Sequence, residues 1–123
     1  MKRHILLIDD EDDIREVTAM SLETVAGWRV TCASSGREGI QLAKQSAPDA
    51  ILLDVMMPDQ DGTDTLRLLR GDEATASLPI IFLTAKVQPT ERRRFLDIGA
   101  TGTLLKPFDP LTLADQISEI LGW

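Results

Sequence analysis

Ile5-Leu6-Leu7-Ile8-Asp9-Asp10 sets a pattern that the chain repeats. A short, unbroken run of large apolar residues stops at acids. Ala50-Ile51-Leu52-Leu53 stops at Asp54, and Ile80-Ile81-Phe82-Leu83 stops at Thr84. A shorter run, Leu104-Leu105, stops at Lys106-Pro107. Runs of this length without polar alternation read as strands covered on both faces, the habit of parallel sheets. Ligands of an open parallel sheet bind beyond the carboxyl ends of its strands. Carboxylates, a hydroxyl and an ammonium are therefore expected to converge at one rim.

Helical patterns fill the gaps between these runs. Ile14, Val17, Thr18, Ser21 and Val25 share one face at 3.6-residue spacing, and Gly27 can end that helix. Arg29 to Ala33 is more polar and suits an edge strand. Gly36 to Gln45 reads as a second helix with Gly39, Ile40 and Ala43 inward. A Pro58…Gly62 turn leads into a third, Thr63 to Arg70, with Leu66 and Leu69 inward. Gly71 to Ser77 reads as a loop. The spacing predicts a fourth helix from Thr90, as N-cap, to Ile98, with Gly99 as its stop. Asp109-Pro110 opens a fifth, an N-cap followed by proline at the first helical position. Leu113, Ala114, Ile117, Ile120 and Leu121 form its buried stripe. The expected fold is α/β and flavodoxin-like: (βα)5, a three-layer sandwich on a five-stranded parallel sheet. The polar second strand belongs at an edge, which gives the strand order 2-1-3-4-5.

Bulk properties narrow the function. The chain has 123 residues, which suits one domain spanning 1–123. Its net charge of −7 argues against direct nucleic-acid binding. No apolar stretch approaches the roughly 20 residues of a membrane span. The basic start Met1-Lys2-Arg3-His4 is followed by too short an apolar run for a signal peptide. A single cysteine, Cys32, cannot form an internal disulfide, so a cytoplasmic location is expected.

Asp9, Asp10 and Asp54 would lie at the ends of neighbouring strands. Like charges that close destabilise one another unless protonated or bridged by a cation. Hard carboxylate oxygens suit Mg2+, which takes one or two protein carboxylates together with substrate phosphate. A plainer reading of Asp9-Asp10-Glu11-Asp12-Asp13 is a helix start dressed with acids for the macrodipole. That explains Asp12 and Asp13 but not the placement of Asp54 and Lys106. Asp54 is the candidate nucleophile, because a carboxylate can attack phosphorus to give an acyl phosphate. Lys106 can hold a phosphoryl oxygen as a point charge, and Thr84 offers a hydroxyl. Each residue has a bland alternative: turn aspartate, surface lysine or strand-end threonine. Their order after successive apolar runs favours a common site.

In these residues and their order, the chain resembles the receiver domain of two-component response regulators, the CheY-like family. The resemblance rests on Leu7-Ile8-Asp9-Asp10-Glu11, Asp54-Val55-Met56-Met57-Pro58-Asp59-Gln60-Asp61-Gly62, Leu83-Thr84-Ala85 and Lys106-Pro107-Phe108, and it covers essentially the whole chain. It implies that Asp54 is the phosphoacceptor. Asp10 would bind magnesium directly, Asp9 through water, and the Met56 backbone carbonyl would complete the metal site. Thr84 and Lys106 match the switch hydroxyl and the phosphate-binding lysine, and the Lys106–Pro107 bond would be cis. A histidine kinase or phosphotransfer protein would be the donor. The face formed by helix 4, strand 5 and helix 5 would meet an output partner or a second copy. Met56 and Lys86 match positions that tune dephosphorylation.

One position departs. The family usually places an aromatic switch residue three before the lysine, and here Thr103 stands there. Arg92-Arg93-Arg94 on the fourth helix reads first as a solvated face and second as a basic patch for an acidic partner. Two enzyme-like or ligand-binding alternatives fail on sequence. A haloacid-dehalogenase-type phosphatase wants a second aspartate two residues after its nucleophile, where this chain has Met56. A nucleotide or flavin binder wants a glycine-rich loop after the first strand, where this chain has five acids. The expected protein is a signalling switch, either free-standing or the receiver of a longer regulator.

Overall fold

The computed structural model describes residues 2–57, 61–85 and 88–123. Most of the Pro58…Gly62 turn and Lys86 lie outside the described residues. Five strands, β1 (His4–Ile8), β2 (Arg29–Ala33), β3 (Ala50–Asp54), β4 (Ile80–Thr84) and β5 (Gly102–Leu105), alternate with five helices. These are α1 (Asp12–Ala26), α2 (Gly36–Ser46), α3 (Gly62–Arg70), α4 (Pro89–Asp97) and α5 (Leu113–Leu121). The sheet is wholly parallel in the order β2-β1-β3-β4-β5.

Strand alternation sorts the apolar runs into two cores. Leu6, Ile8, Ile51, Leu53, Ile80 and Phe82 face α2, α3 and α4, where they meet Ala43, Leu66, Leu69 and Phe95. Ile5, Leu7, Leu52, Ile81 and Leu83 face the other way, against Leu22, Trp28, Leu113 and Ile117. Every residue of β3 and β4 is buried, so both central strands are covered on both faces. The exposed Arg29 and Cys32 mark β2 as an edge. Register then aligns the strand ends. Ile8 pairs with Leu53, Asp54 with Leu83, and Thr84 with Leu105. The next residues, Asp9 and Lys106, emerge at the same rim.

Three helix details differ from the sequence reading. The buried face of α1 is Thr18, Ser21 and Leu22, while Val17 and Val25 are each 49% exposed. The helix is rotated so that Leu22, at i+4 from Thr18, fills the space above Leu7 and Trp28. Two β-branched residues are left at the margin. Thr90 does not cap α4. Gln88 is the N-cap, without a side-chain hydrogen bond, and Pro89 takes the first turn, where its fixed φ suits a helix start. Asp109-Pro110 opens a turn ahead of α5 and not the helix itself. Asp109 Oδ1 accepts from the Leu111 amide at 2.9 Å, and helical geometry begins after Thr112. The aspartate closes a local turn on its own backbone and so delays the helix.

The start of α3 is pressed onto the end of β3. Asp61 caps the helix by accepting from the Asp64 amide at 3.0 Å. Gly62 donates its amide to the Val55 carbonyl at 2.8 Å. A Cβ on Gly62 would lie 2.5 Å from the Asp54 carbonyl oxygen and 2.7 Å from the Val55 Cα, so only glycine fits. Gly71, at the far end of α3, has ordinary φ and ordinary space around it. Gly62→Ala should therefore destabilise the protein by about 2–4 kcal/mol. Gly71→Ala should stay within about 1 kcal/mol of wild type. Urea unfolding of the two variants measures the contrast, and equal effects would contradict the packing described.

Candidate functional site

The rim gathers residues that are far apart in sequence. Asp9, Asp10, Glu11 and Asp54 each offer a carboxylate oxygen, and these oxygens lie within 4.8 Å of one another. Asp9 is completely buried and Asp54 nearly so. Both follow buried apolar strands, so neither can retreat into water without breaking the sheet. The backbone holds each in place. The Glu11 amide donates to Asp9 Oδ1 at 3.0 Å, and the Met56 amide donates to Asp54 Oδ1 at 3.2 Å. Met56 itself turns its side chain outward, 78% exposed.

Lys106 enters from β5, across the sheet from β1. Its Nζ lies 2.7 Å from Asp9 Oδ2, 3.5 Å from Asp54 Oδ2 and 3.7 Å from Glu11 Oε1. The Lys106 amide donates to the Thr84 carbonyl at 2.8 Å, tying β5 to the end of β4. The following bond, Lys106–Pro107, is cis. Thr84 is buried at the end of β4. Thr103 lies further back on β5, paired with Phe82, and helps line a recess of about 540 Å³ between α4 and β5. It does not join the acidic cluster.

Two residues at the site were not singled out from sequence. Glu11 has no role of its own in the sequence pattern, yet its carboxylate belongs to the cluster. Arg15, partly buried on α1, donates from Nη1 to the Asp9 carbonyl at 2.6 Å and pairs with Asp12. It braces the loop that carries the acids. The only hint in sequence is its i+3 spacing from Asp12, which lets the two side chains meet on one helix face.

Electrostatics follow from this crowding. Burial, reinforced by the negative charge of Asp9, pushes the Asp54 carboxyl up to about 6. Lys106 and the Met56 amide pull it down but do not prevail. Burial works against the Lys106 ammonium as well, but its hydrogen bond with Asp9 and the charges of Asp54, Asp9 and Glu11 outweigh that and raise its pKa. Such a constellation of hard oxygens can hold a divalent cation, which would cancel the repulsion. At neutral pH Asp54 is mostly ionised, and its carboxylate is chemically able to act as an oxygen nucleophile beside the Lys106 ammonium.

An aspartate with a raised pKa holds its proton more tightly folded than unfolded. Metal-free stability should then fall as pH rises from about 4 to about 6, and the full penalty should stand above that window. Asp54→Asn should remove that decline. In chelator near neutral pH it should stabilise the fold by on the order of 1–3 kcal/mol, raising the melting temperature by several degrees. Thermal unfolding across this pH range, wild type against variant, is the measurement. A variant that melted lower throughout would contradict the electrostatics.

Comparison with known proteins agrees with this geometry. The response regulator receiver domain matches residues 5–118. The phosphate regulon transcriptional regulatory protein PhoB of Pseudomonas aeruginosa is 38% identical over 117 residues, covering 95% of this chain and 51% of that protein. The DNA-binding dual master transcriptional regulator RpaA of Synechocystis is 39% identical over 95% of this chain and 48% of its own length. The chain thus spans about half the length of these relatives. Among solved structures, the Vibrio cholerae chemotaxis protein CheY4 superposes with a TM-score of 0.90 at 32% identity, covering 98% of this chain and 99% of that one. The receiver domain of a Pseudomonas aeruginosa sensor histidine kinase, with a magnesium ion coordinated in its active-site cleft, superposes at 0.86 with 31% identity over all of both chains. A parallel sheet in this order, an acidic rim and a family match over most of the sequence lead to one conclusion: this chain belongs to the response regulator receiver domain family of two-component systems.

Proposed function

We propose that the chain is a phosphoacceptor receiver in a phosphorelay, with Asp54 as the residue phosphorylated. The carrying observation is the meeting of Asp9, Asp10 and Asp54 within 4.8 Å, with the Lys106 ammonium 3.5 Å from Asp54. An Asp54 oxygen attacks the phosphorus of a phosphohistidine on a kinase or phosphotransfer protein. The new oxygen–phosphorus bond forms as the nitrogen–phosphorus bond breaks, and the imidazole leaves. Asp9, Asp10, Asp54 and the Met56 carbonyl would hold Mg2+, which when bound supplies charge neutralisation and alignment for the displacement. The crowding of negative charge at this rim fits a resident dication. Lys106 then holds a phosphoryl oxygen, and Thr84 donates its hydroxyl to another. Attack of water on the same phosphorus breaks the bond to the Asp54 oxygen and releases inorganic phosphate, so the switch resets itself.

The added phosphoryl group carries roughly −1.5 to −2 charges and three acceptor oxygens. Drawing Thr84 and Lys106 toward it would shift the segment after Thr84 and α4, changing the α4–β5–α5 face. Thr103 has no ring to bury, so this response would proceed without a large rotamer swing at that position. Arg92, Arg93 and Arg94 are all exposed on α4. They offer positive charge to an output partner or a second copy. None of the described helices is long and apolar enough to cross a membrane. A cytoplasmic signalling role, as one receiver domain spanning 1–123, is the setting we infer.

Incubation with magnesium and a small phosphodonor, read by intact mass, tests this reading. Wild type should gain one acid-labile phosphoryl group, and Asp54→Asn should gain none. Amide hydrogen exchange with a phosphoryl mimic should change at Thr84, Ala85 and along α4. In Lys106→Ala that change should be largely lost. Labelling of the Asp54→Asn variant to the wild-type extent would refute the assignment.

A further inference from the structure

Arg15 is a cation at the wrong end of a helix. It lies near the start of α1, where the macrodipole is positive and favours acids. Its side chain is only 18% exposed, so its charge has also left most of its water. Neither the dipole nor solvation favours a cation there, but its partners do. Nη1 donates to the Asp9 carbonyl oxygen at 2.6 Å, and Nη2 pairs with the Asp12 carboxylate. A planar guanidinium can make both contacts at once, and together they fix its plane. One fork thus ties the residue after β1 to the first turn of α1, across the loop that carries Asp10 and Glu11.

The acids of the rim are held unequally. Asp9 Oδ1 accepts from the Glu11 amide and Oδ2 from Lys106, and Asp54 Oδ1 accepts from the Met56 amide. Among the described residues, none donates a hydrogen bond to the Asp10 carboxylate, although one of its oxygens belongs to the cluster. The direction of that side chain is left to its backbone. The Asp9 carbonyl and the Asp10 amide belong to one planar peptide unit. On the near side, the Asp9 amide donates to the Ala33 carbonyl at 3.1 Å. On the far side, Arg15 holds the plane from which Asp10 departs. We propose that Arg15 is a positioning residue for Asp10: its fork sets the peptide plane that aims the Asp10 carboxylate at the cation. This rests on the reading that the rim binds magnesium, with Asp10 as a direct ligand. Charge alone would act in the opposite sense, because a guanidinium near the site repels a dication. Loss of the fork and loss of the charge should therefore move magnesium affinity in opposite directions.

Arg15→Lys separates the two, because it keeps the charge and loses the two-point fork. Its magnesium affinity, read by calorimetry well below the melting temperature, should be about tenfold weaker than wild type. Arg15→Met loses the charge as well, and it should still bind magnesium more weakly than wild type. In metal-free protein, hydrogen exchange at the Asp9 and Glu11 amides should quicken in Arg15→Lys, while the amides of β3 and β4 keep wild-type protection. Affinity of Arg15→Lys within about twofold of wild type would overturn the proposal. So would tighter binding by Arg15→Met, which would leave the charge as the whole effect. Exchange that quickened throughout the sheet would make Arg15 a general stabiliser of the fold and overturn it too. Wild-type protein that bound no magnesium would sink the functional reading and this proposal together, whereas the other three results would sink this proposal alone.

Discussion

Asp9 and Asp54 repel each other, and the sheet holds them together regardless. Each follows a strand whose side chains are buried on both faces, so the hydrophobic cores fix where the carboxylates stand. Fully burying one large aliphatic side chain stabilises a fold by about 1.5–3 kcal/mol. With sixteen buried leucines and isoleucines in two cores among the described residues, the domain can tolerate unfavourable electrostatics at one rim. Lys106 offsets part of the repulsion and leaves the Asp54 pKa raised. The remaining strain is what makes the rim receptive to a cation.

The same placement explains why the neighbouring backbone is so tightly specified. Gly62 brings the start of α3 against the Asp54 carbonyl, Arg15 grips the Asp9 carbonyl, and the Lys106 amide binds the Thr84 carbonyl. Each contact fixes the main chain next to a residue of the site. Side chains whose own anchors are rigid need little reorganisation when charge arrives. The far ends of the helices are tied down separately. Arg70 donates to the Gly99, Ala76 and Leu78 carbonyls, joining the end of α3 to the end of α4. The carboxyl end of α4 is thereby anchored to the end of α3.

The α4–β5 surface has a different character. Its recess is floored by Thr103, Leu96 and Leu105 and edged by Arg92 and Arg93. Leu96 and Leu105 are about half exposed, at 47% and 55%. An apolar floor with a basic edge gives contrast to an otherwise acidic domain. That contrast comes from α4 and β5 together and belongs to neither element alone.

Sequence alone determined the sheet, because solid apolar runs ending in polar residues admit few other readings. The strand order followed from the polar Arg29–Ala33 edge, and the residues at the rim followed from where the runs stop. Helix boundaries were less legible. The Asp109-Pro110 pair could equally cap a helix or close a turn, and the turn prevailed. Val17 and Val25 fitted a buried stripe by period, but the packing of Leu22 rotated α1 away from it. The direction of the Glu11 side chain was invisible, since an acid at a helix start satisfies the dipole whichever way its side chain points. Only tertiary structure could decide that, by bringing Lys106 from β5 to 3.7 Å from its carboxylate. Local pattern encodes which face is buried and where a strand ends. The pairing of charges across the rim depends on strands β1, β3 and β5 being assembled side by side in one sheet, with β4 between the last two.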